Sequence, residues 1–406
     1  MADIRALYAD EDGNILDAPK GFQALARTGT DIIELSPDDL IPLPESADLM
    51  FLPDRLPLAK YGDEIMPIMG NAVAAILPAG YTRLYMPAFK KEDDAQMLPL
   101  YGYTAVVVYK DELYVAAMYT DENDKWDPAH YNTRNLHKLV KRVQKDLPDN
   151  RLVEHLGNCS LTWHCCTAQN LFYRRWEAGI PSSPVCNANC FGCISLQPAE
   201  CCPSPQSRIK FRPTPKEIAQ IGIYHLETAP DAIISFGQGC EGEPSLAVDN
   251  IVPAIEKIRK KTDKGQININ TNAGYTEGIK RIVDAGLDSM RVSIISAIPE
   301  NYKAYYRGSY ELDNVKESIR YAHEHGVHYF PGFNDSESEF KAWKEFLHEN
   351  PVNMIQIRNL NIDPDAFAEI MPPFTKAIGT KEFIRQLHEE FPDIVIGNFS
   401  HYQKGE

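Results

Sequence analysis

The second half of the chain alternates between strand-like and helix-like patterns, and this alternation limits most strongly what the chain can fold into. From residue 180 onward, strand patterns lie near 232–236, 266–270, 288–295, 326–331 and 352–358, with a further short strand just before Cys186. Helical patterns lie near 214–229, 248–262, 275–285, 311–325, 336–349 and 380–390. Repeated strand–helix units predict a parallel sheet with right-handed crossovers.

Length and composition set wider bounds. The 406 residues exceed one ordinary domain, and 44% hydrophobic with 24% charged residues is typical of a globular protein with a large core. No apolar run approaches the ~20 residues of a membrane span, and the amino terminus lacks a basic-then-apolar signal, so we expect a cytoplasmic protein without membrane contact. The formal net charge of −16 argues against broad, sequence-blind nucleic-acid binding but leaves a local basic patch open.

A compact cysteine motif, Cys186-Asn-Ala-Asn-Cys190-Phe-Gly-Cys193, stands just after the first short strand. Small and polar residues between the cysteines allow one loop to curl around a metal centre. A 4Fe–4S cluster normally takes four thiolates, so three would leave one iron free unless a distant cysteine completes the set. The alternatives are a zinc site, with Cys201, Cys202 or a histidine as fourth ligand, and a spacing without function.

Three further motifs follow the cysteine loop in chain order. An apolar strand at 233–236 runs into a glycine-rich turn that ends in Gly242-Glu243-Pro244. The next strand ends in Thr271-Asn272, and a later strand carries Arg291-Val-Ser293. Together with the cysteine loop, this order resembles the radical S-adenosylmethionine (radical SAM) superfamily over about residues 180–360.

The resemblance implies a fold and a chemistry. The fold would be α/β, a partial (β/α)6 TIM-like radical SAM barrel open on one side, with a smaller β-rich amino-terminal domain. Cys186, Cys190 and Cys193 would hold a 4Fe–4S cluster whose free iron binds S-adenosylmethionine. One electron from the cluster would then cleave the cofactor to methionine and a 5′-deoxyadenosyl radical, which takes a hydrogen atom from the substrate.

The resemblance also assigns residues to the cofactor. Backbone near Gly242 would accept from the methionine ammonium, and the Glu243 carboxylate would bond to it or hold the turn in place. Asn272 and Ser293 would contact the ribose or the carboxylate. Arg291 lies on the same face of its strand as Ser293, and it is either a cofactor contact or an ion-pair partner in the barrel.

Three other features leave alternatives open. Glu241 stands where the family usually has the first glycine of a Gly-Gly-Glu-Pro motif. The Gly332-Phe-Asn334-Asp335 turn resembles a family turn near adenine, but a helix cap before Glu337 and Glu339 is the favoured interpretation. Gln356 and Arg358 alternate with isoleucines and are expected to face the barrel lumen, with Asn359 and Asn361 at its mouth; the pair is either a substrate-side feature or part of a structural network.

The predicted domain boundaries are 1–150 for the β-rich domain, 151–180 for a connector without clear periodicity, 181–365 for the barrel and 366–406 for a helical and strand extension. Residues 1–60 are expected to be mostly loops. The segments 104–109 and 113–119 predict a β-hairpin. The stretch 135–145 predicts a basic amphipathic helix, either a solvated outer face or a polyanion site.

The sequence therefore predicts a radical SAM enzyme acting on an unidentified peptide, RNA or small molecule, with S-adenosylmethionine and an electron donor such as flavodoxin or ferredoxin as partners. The alternative is a non-enzymatic iron–sulfur or zinc protein with a structural role. Six further cysteines would supply either a second metal site or buried thiols; they are Cys159, Cys165, Cys166, Cys201, Cys202 and Cys240.

Overall fold

The computed structural model describes residues 3–121, 124–197, 204, 206–322, 325–329, 332–350 and 352–402. Cys201 and Cys202, which the sequence offers as metal ligands, lie outside these residues, as do the last two positions of the strand predicted at 326–331. Among the helices within these ranges, none is both long and apolar enough to cross a lipid bilayer.

The amino-terminal part consists of short strands. Strands β1 to β15 span Ile4–Ala9, Ile15–Asp17, Phe22–Thr28, Asp31–Glu34, Ile41–Pro42, Asp48–Leu52, Arg55–Tyr61, Glu64–Pro67, Asn71–Ile76, Tyr81–Arg83, Met86–Pro87, Phe89–Lys91, Tyr103–Tyr109, Glu112–Val115 and Ala117–Tyr119. Within the described residues, 13 of them form one antiparallel sheet with the main order β12-β7-β3-β1-β9-β13-β14-β5. The β-rich amino-terminal part is thus confirmed.

The expectation that residues 1–60 are mostly loops is wrong, because strands β1 to β7 begin within them. The strands are short and their partners are distant: Ile4 in β1 pairs with Tyr109 in β13. Such strands are stabilised by contacts that a local pattern does not contain. The predicted hairpin is confirmed by the pairing of β13 with β14, whereas β15 leaves it to pair with β10.

The rest of the chain alternates between helices and parallel strands. Helices α1 to α11 span Leu136–Asp146, Arg151–Thr162, Cys166–Tyr173, Pro215–Thr228, Val248–Lys261, Thr276–Asp284, Pro299–Tyr306, Leu312–Tyr321, Glu337–Glu349, Pro364–Ile370 and Thr380–Glu390. Strands β16 to β22 span Glu177–Gly179, Ile233–Phe236, Gln266–Thr271, Ser289–Ile294, His325–Tyr329, Met354–Asn359 and Val395–Gly397. The predicted helix at 135–145 corresponds to α1, which buries Leu136, Val140 and Val143.

Strands β16 to β22 form one sheet in strict chain order, and every neighbouring pair is parallel. This order, with helices between the strands, confirms the predicted α/β barrel-type fold. Local signals set the helix boundaries: Thr214 caps α4, and its side chain and that of Glu217 form a capping box ahead of Pro215. Strand β22, from the carboxyl-terminal segment, pairs with β21 and lengthens the sheet beyond six strands.

The connector predicted without periodicity at 151–180 contains α2, α3 and β16, so that interpretation is wrong. A start signal was present, because the Asn150 side chain accepts hydrogen bonds from the backbone of Leu152 and Val153. Glycine and asparagine inside α2 obscure the apolar face that Leu152, Val153 and Leu156 bury. Helices α7 and α10 were likewise not predicted.

The amino-terminal strands β7 and β10 contact the end of β21 and the residues after it. Asn359, expected at the mouth of the barrel, accepts a hydrogen bond from the backbone N–H of Arg83 at 3.0 Å. The Arg83 guanidinium donates to the carbonyl of Leu360 at 2.9 Å. Arg55 and Asp363 form an ion pair at 3.0 Å in which both side chains are almost fully buried. These polar contacts hold amino-terminal strands against the carboxyl end of the parallel sheet.

Candidate functional site

A cavity of about 380 Å³ opens at the carboxyl ends of the parallel strands. All eight residues that the sequence assigns to the cluster and the cofactor line it: Cys186, Cys190, Cys193, Gly242, Glu243, Asn272, Arg291 and Ser293. They come from four different segments of the chain. In barrels built of parallel strands, ligands bind at this end of the sheet.

The cysteine loop is held in place by the end of α7 and the residues after it. The backbone N–H groups of Asn189 and Phe191 donate to the carbonyls of Tyr306 and Tyr305, at 3.0 and 3.1 Å. The Arg307 side chain also donates to the carbonyl of Asn189, at 2.9 Å. The loop is therefore fixed by a helix that sequence analysis did not predict.

The three thiols are free, and those of Cys186 and Cys193 receive N–H donors. The backbone N–H of Ala188 lies 3.4 Å from Cys186 Sγ, and Arg208 Nη2 lies 3.4 Å from Cys193 Sγ. Hydrogen bonds to sulfur tune iron–sulfur centres. The donor set and its surroundings fit an iron–sulfur cluster.

A zinc ion needs its donor atoms gathered around one point. Among the described residues, the three side chains whose ligand atoms all lie within 4.8 Å of one another are His155, Cys159 and Cys240, and none of them belongs to the cysteine loop.

The turn after β17 packs directly onto the chain before the cysteine loop. The N–H of Gly242 donates to the carbonyl of Ser183 at 2.7 Å, and that of Glu243 donates to Val185 at 2.8 Å. A Cβ atom on Gly242 would lie 2.0 Å from the Val185 carbonyl oxygen. Glycine is needed here because the two backbones touch.

The Glu243 carboxylate is buried and fully engaged. One oxygen accepts from the backbone N–H of Ser245 at 3.0 Å and from the Thr271 hydroxyl, and the other accepts from the N–H of Asn272 at 2.9 Å. Glu243 thus caps the short helix that starts at Pro244, which is the turn-holding role considered for it. Burial raises the pKa of Glu243, and these hydrogen bonds oppose that shift.

Glu241, which departs from the usual glycine, is a structural centre of the site. Its carboxylate accepts from the backbone N–H groups of Ser182 and Ser183 at 2.6 and 2.9 Å, and from those of Gly237 and Gln238 at 2.7 and 2.8 Å. Burial raises the pKa of Glu241 to about 7. Sequence analysis missed this role, because only the fold brings the two strand ends together.

The remaining predicted contacts differ in their partners. Asn272 Nδ2 donates to the side chain of Asn187 in the cysteine loop at 2.7 Å. Arg291 Nη1 lies 3.3 Å from Gln356 Oε1, so part of its guanidinium is held by the neighbouring polar residue. Val292, between Arg291 and Ser293, is fully buried, consistent with the predicted alternation of the two faces of β19.

The two polar residues of β21, Gln356 and Arg358, differ in their surroundings. Arg358 lines the cavity as predicted, and its Nε donates to the carbonyl of Asn398 at 3.1 Å. Gln356 is buried and bonds to Arg291. Burial lowers the pKa of the Arg358 guanidinium, while nearby Glu177 opposes the shift.

A buried polar ladder that the sequence analysis missed crosses the neighbouring strands. It runs from Gln266 to Ser289 at 2.7 Å, to Asn268 at 2.9 Å, to Ser235 at 3.1 Å and to Glu177 at 2.6 Å. The alternation in Gln266-Ile-Asn268-Ile was the available signal. Its polar members are buried and pair with one another inside the core, as buried polar groups do in folded proteins.

The Gly332 turn has a capping role. Asp335 Oδ1 accepts from the backbone N–H of Gly332 at 2.6 Å, and Ser336 caps α9 by accepting from Glu339 N at 3.4 Å. None of residues 332–335 is among those lining the cavity. These contacts agree with the favoured interpretation of a helix cap.

Comparison with known proteins identifies one segment of the chain. Residues 180–347 match the family model described as Radical SAM superfamily. The segment includes the cysteine loop, the Gly242-Glu243-Pro244 turn, Asn272 and Arg291 with Ser293.

Two curated relatives share part of the chain. An uncharacterised protein of Methanocaldococcus jannaschii is 32% identical over 184 residues, which cover 43% of this chain and 56% of the relative. A probable GTP 3′,8-cyclase of Methanococcus aeolicus is 32% identical over 151 residues, which cover 36% of this chain and 46% of that protein. The chain thus spans about half the length of the curated relatives it matches.

Solved structures give weaker likenesses. A radical SAM methyltransferase from Sphaerobacter thermophilus aligns with 80% of this chain and 78% of its own, at 12% identity and a TM-score of 0.39. The alignment with a methylornithine synthase covers 68% of this chain and 74% of that protein, at 13% identity and a TM-score of 0.39. Both structural likenesses are distant. Residues 180–347 are the segment of this chain that matches the Radical SAM superfamily.

Proposed function

We propose that the protein is a radical SAM enzyme that abstracts a hydrogen atom from a substrate bound above the parallel sheet. One observation carries the proposal: the cysteine loop and the Gly242-Glu243 turn meet at the wall of a single cavity, within the segment that matches the superfamily. That convergence is what a cluster and a cofactor bound side by side require.

In this proposal Cys186, Cys190 and Cys193 hold a 4Fe–4S cluster, and the turn at Gly242 and Glu243 binds the methionine end of S-adenosylmethionine. Such a cluster supplies the electron that cleaves the cofactor to methionine and a 5′-deoxyadenosyl radical. The protein contributes position: the buried Glu243 carboxylate orders the turn, and Arg208 offers positive charge beside Cys193.

The cavity suggests some properties of the substrate. Arg291 and Arg358 both line it, and guanidinium groups in a desolvated site favour anionic partners. Trp126 also lines the wall and offers an apolar face. Glu177, Glu241 and Glu243 line the same cavity, so its walls carry both signs of charge and suit a polar substrate. An electron donor such as flavodoxin or ferredoxin is the partner that this chemistry needs.

The test is anaerobic purification followed by iron and sulfide determination and a reductive assay. We expect about four irons per chain, and 5′-deoxyadenosine after addition of dithionite and S-adenosylmethionine. Changing Cys186, Cys190 and Cys193 together to alanine should abolish both. The matched control is Cys166→Ala, since this thiol is not among the residues lining the cavity.

Each result discriminates. Full iron content and full 5′-deoxyadenosine formation in the triple variant would refute the assignment. A wild-type protein that holds iron yet never cleaves S-adenosylmethionine under reduction would favour the alternative of a structural iron–sulfur protein. Zinc in place of iron after anaerobic iron reconstitution would favour the structural zinc protein.

A further inference from the structure

We propose a second, mononuclear metal site built from His155, Cys159 and Cys240. The site uses none of the cysteines of the loop at 186–193, and its ligands are two thiolates and one imidazole. This donor set suits a borderline-soft divalent ion, and Zn²⁺ is the ion we assign to it. The proposal does not rest on the radical chemistry.

The ligand atoms are already close together. His155, Cys159 and Cys240 place one ring nitrogen and two sulfurs all within 4.8 Å of one another. The distance from Cys159 Sγ to His155 Nε2 is 3.6 Å. Zn–S bonds of about 2.3 Å and Zn–N bonds of about 2.0–2.1 Å at tetrahedral angles put sulfur and nitrogen roughly 3.6 Å apart, so the spacing fits one shared ion.

Local structure explains why these atoms converge. His155 and Cys159 are four residues apart in α2, so both side chains lie on the same helix face. Cys240 reaches them from the turn after β17. That turn is closed by a hydrogen bond from Glu241 N to the Gln238 carbonyl at 3.1 Å, and the Cys240 carbonyl accepts from Ile209 N at 2.7 Å.

Burial and charge also fit an ion. Cys159 and Cys240 are 2% and 4% exposed. His155 is half-buried, so a metal ion can reach the site from solvent on the His155 side. Two thiolates and a neutral imidazole would neutralise the two positive charges of the metal. A neutral centre is far less costly to bury than an isolated charge. The backbone N–H of a further cysteine, Cys165, donates to the Cys159 carbonyl at 3.1 Å.

The site joins two parts of the barrel. Helix α2 precedes the first strand of the parallel sheet, whereas Cys240 lies between Gln238 and the buried Glu241. A metal bound here would fasten the turn carrying Glu241 and Glu243 to that helix. We therefore infer a structural zinc that keeps the wall of the cavity in place.

The experiment uses the full chain with Cys186, Cys190 and Cys193 changed to alanine, which removes the other known set of thiols. Purified from medium containing Zn²⁺, this protein should hold about one zinc per chain by mass spectrometry of dissolved metals. After chelation, titration with Co²⁺ should give the near-ultraviolet charge-transfer band of thiolate-bound cobalt at about one equivalent.

Added to that background, His155→Ala and Cys240→Ser should each lower the zinc content at least about tenfold and remove the cobalt band. Cys166→Ser is the matched control, because its thiol is outside the trio, and it should retain one zinc. If Cys240→Ser does not fold, the zinc content of His155→Ala tests the proposal. The His155 side chain is only half-buried, so we expect this variant to fold.

Two results would overturn the proposal. One is a zinc content and a cobalt spectrum in His155→Ala and Cys240→Ser equal to those of the background protein. The other is a metal-free protein with a disulfide between Cys159 and Cys240, seen as a loss of about two mass units without reductant. Neither result would affect the iron content of the wild-type chain, so failure here is distinguishable from failure of the proposed enzyme activity.

Discussion

Glu243 accepts a hydrogen bond from the backbone N–H of Asn272 at 2.9 Å, and this contact joins the turn after β17 to the end of β18. The same carboxylate accepts from Ser245 N at 3.0 Å. One buried acid therefore sets the relative position of two segments that both line the cavity.

Replacing Glu243 with alanine should weaken S-adenosylmethionine binding while the iron content stays near that of the wild type. Loss of a charged hydrogen-bond partner costs about 1.5–3 kcal/mol, which raises the dissociation constant by about 10- to 150-fold. Anaerobic equilibrium dialysis with labelled cofactor measures the change. Glu256→Ala, an exposed acid on α5, is the control and should bind normally. An unchanged dissociation constant in Glu243→Ala would leave Glu243 with an architectural role only.

The buried pair of Arg55 and Asp363 should make a large contribution to stability. Arg55→Met leaves a desolvated carboxylate, which we expect to lower the free energy of unfolding by about 3–5 kcal/mol. Lys303→Met is the matched control because Lys303 and Glu311 form an exposed pair, with side chains 63% and 64% accessible. The Lys303→Met substitution should lower the free energy of unfolding by less than about 1 kcal/mol. If denaturant titrations show that the two variants lose the same free energy of unfolding, the prediction is contradicted.

His225 should make the fold sensitive to mild acid. It is fully buried, its Nε2–H donates to the carbonyl of Trp176 at 2.9 Å, and burial lowers its pKa from 6.5 to about 4. Below about pH 6.5 His225 takes up a proton in the unfolded chain but stays neutral in the folded chain. The contribution of neutral His225 to the free energy of unfolding is therefore present above that pH and is lost as the pH falls towards 4.

The lower pKa of His225 in the folded chain should reduce the free energy of unfolding by about 2 kcal/mol between about pH 7 and pH 5. His225→Gln cannot take up the proton, so its stability should fall less over the same interval. The check is urea unfolding followed by circular dichroism at both pH values. His388→Gln, at an exposed site on α11, should behave like the wild type. Identical pH dependence in His225→Gln and the wild type would refute the assignment.

The parts of the fold that were predictable carry local signals. Strand and helix patterns after residue 180 repeat within short windows, and caps such as Thr214 mark where helices begin. The amino-terminal strands were missed because their stability comes from distant pairing, as between Ile4 and Tyr109. Helix α2 was missed although Asn150 caps it, since Gly157 and Asn158 interrupt its apolar face.

The site divides in the same way. The cysteine spacing and the Gly242-Glu243 turn are visible in the sequence, because the chemistry of those positions needs particular residue types. Glu241 and His155 were not identified, since nothing near them in the chain indicates their partners. Glu241 bonds to Ser182 and Ser183, and His155 meets Cys240, through contacts between residues far apart in the chain.

The contact between Gly242 and Val185 has a consequence for how such a chain can change. With so little room between the Gly242 Cα and the Val185 carbonyl, neither segment can be lengthened or exchanged without a matching change in the other. They would be inherited, transplanted or lost as one unit. A chimaera that takes residues 181–195 from a relative should therefore assemble only if residues 237–245 come from the same donor.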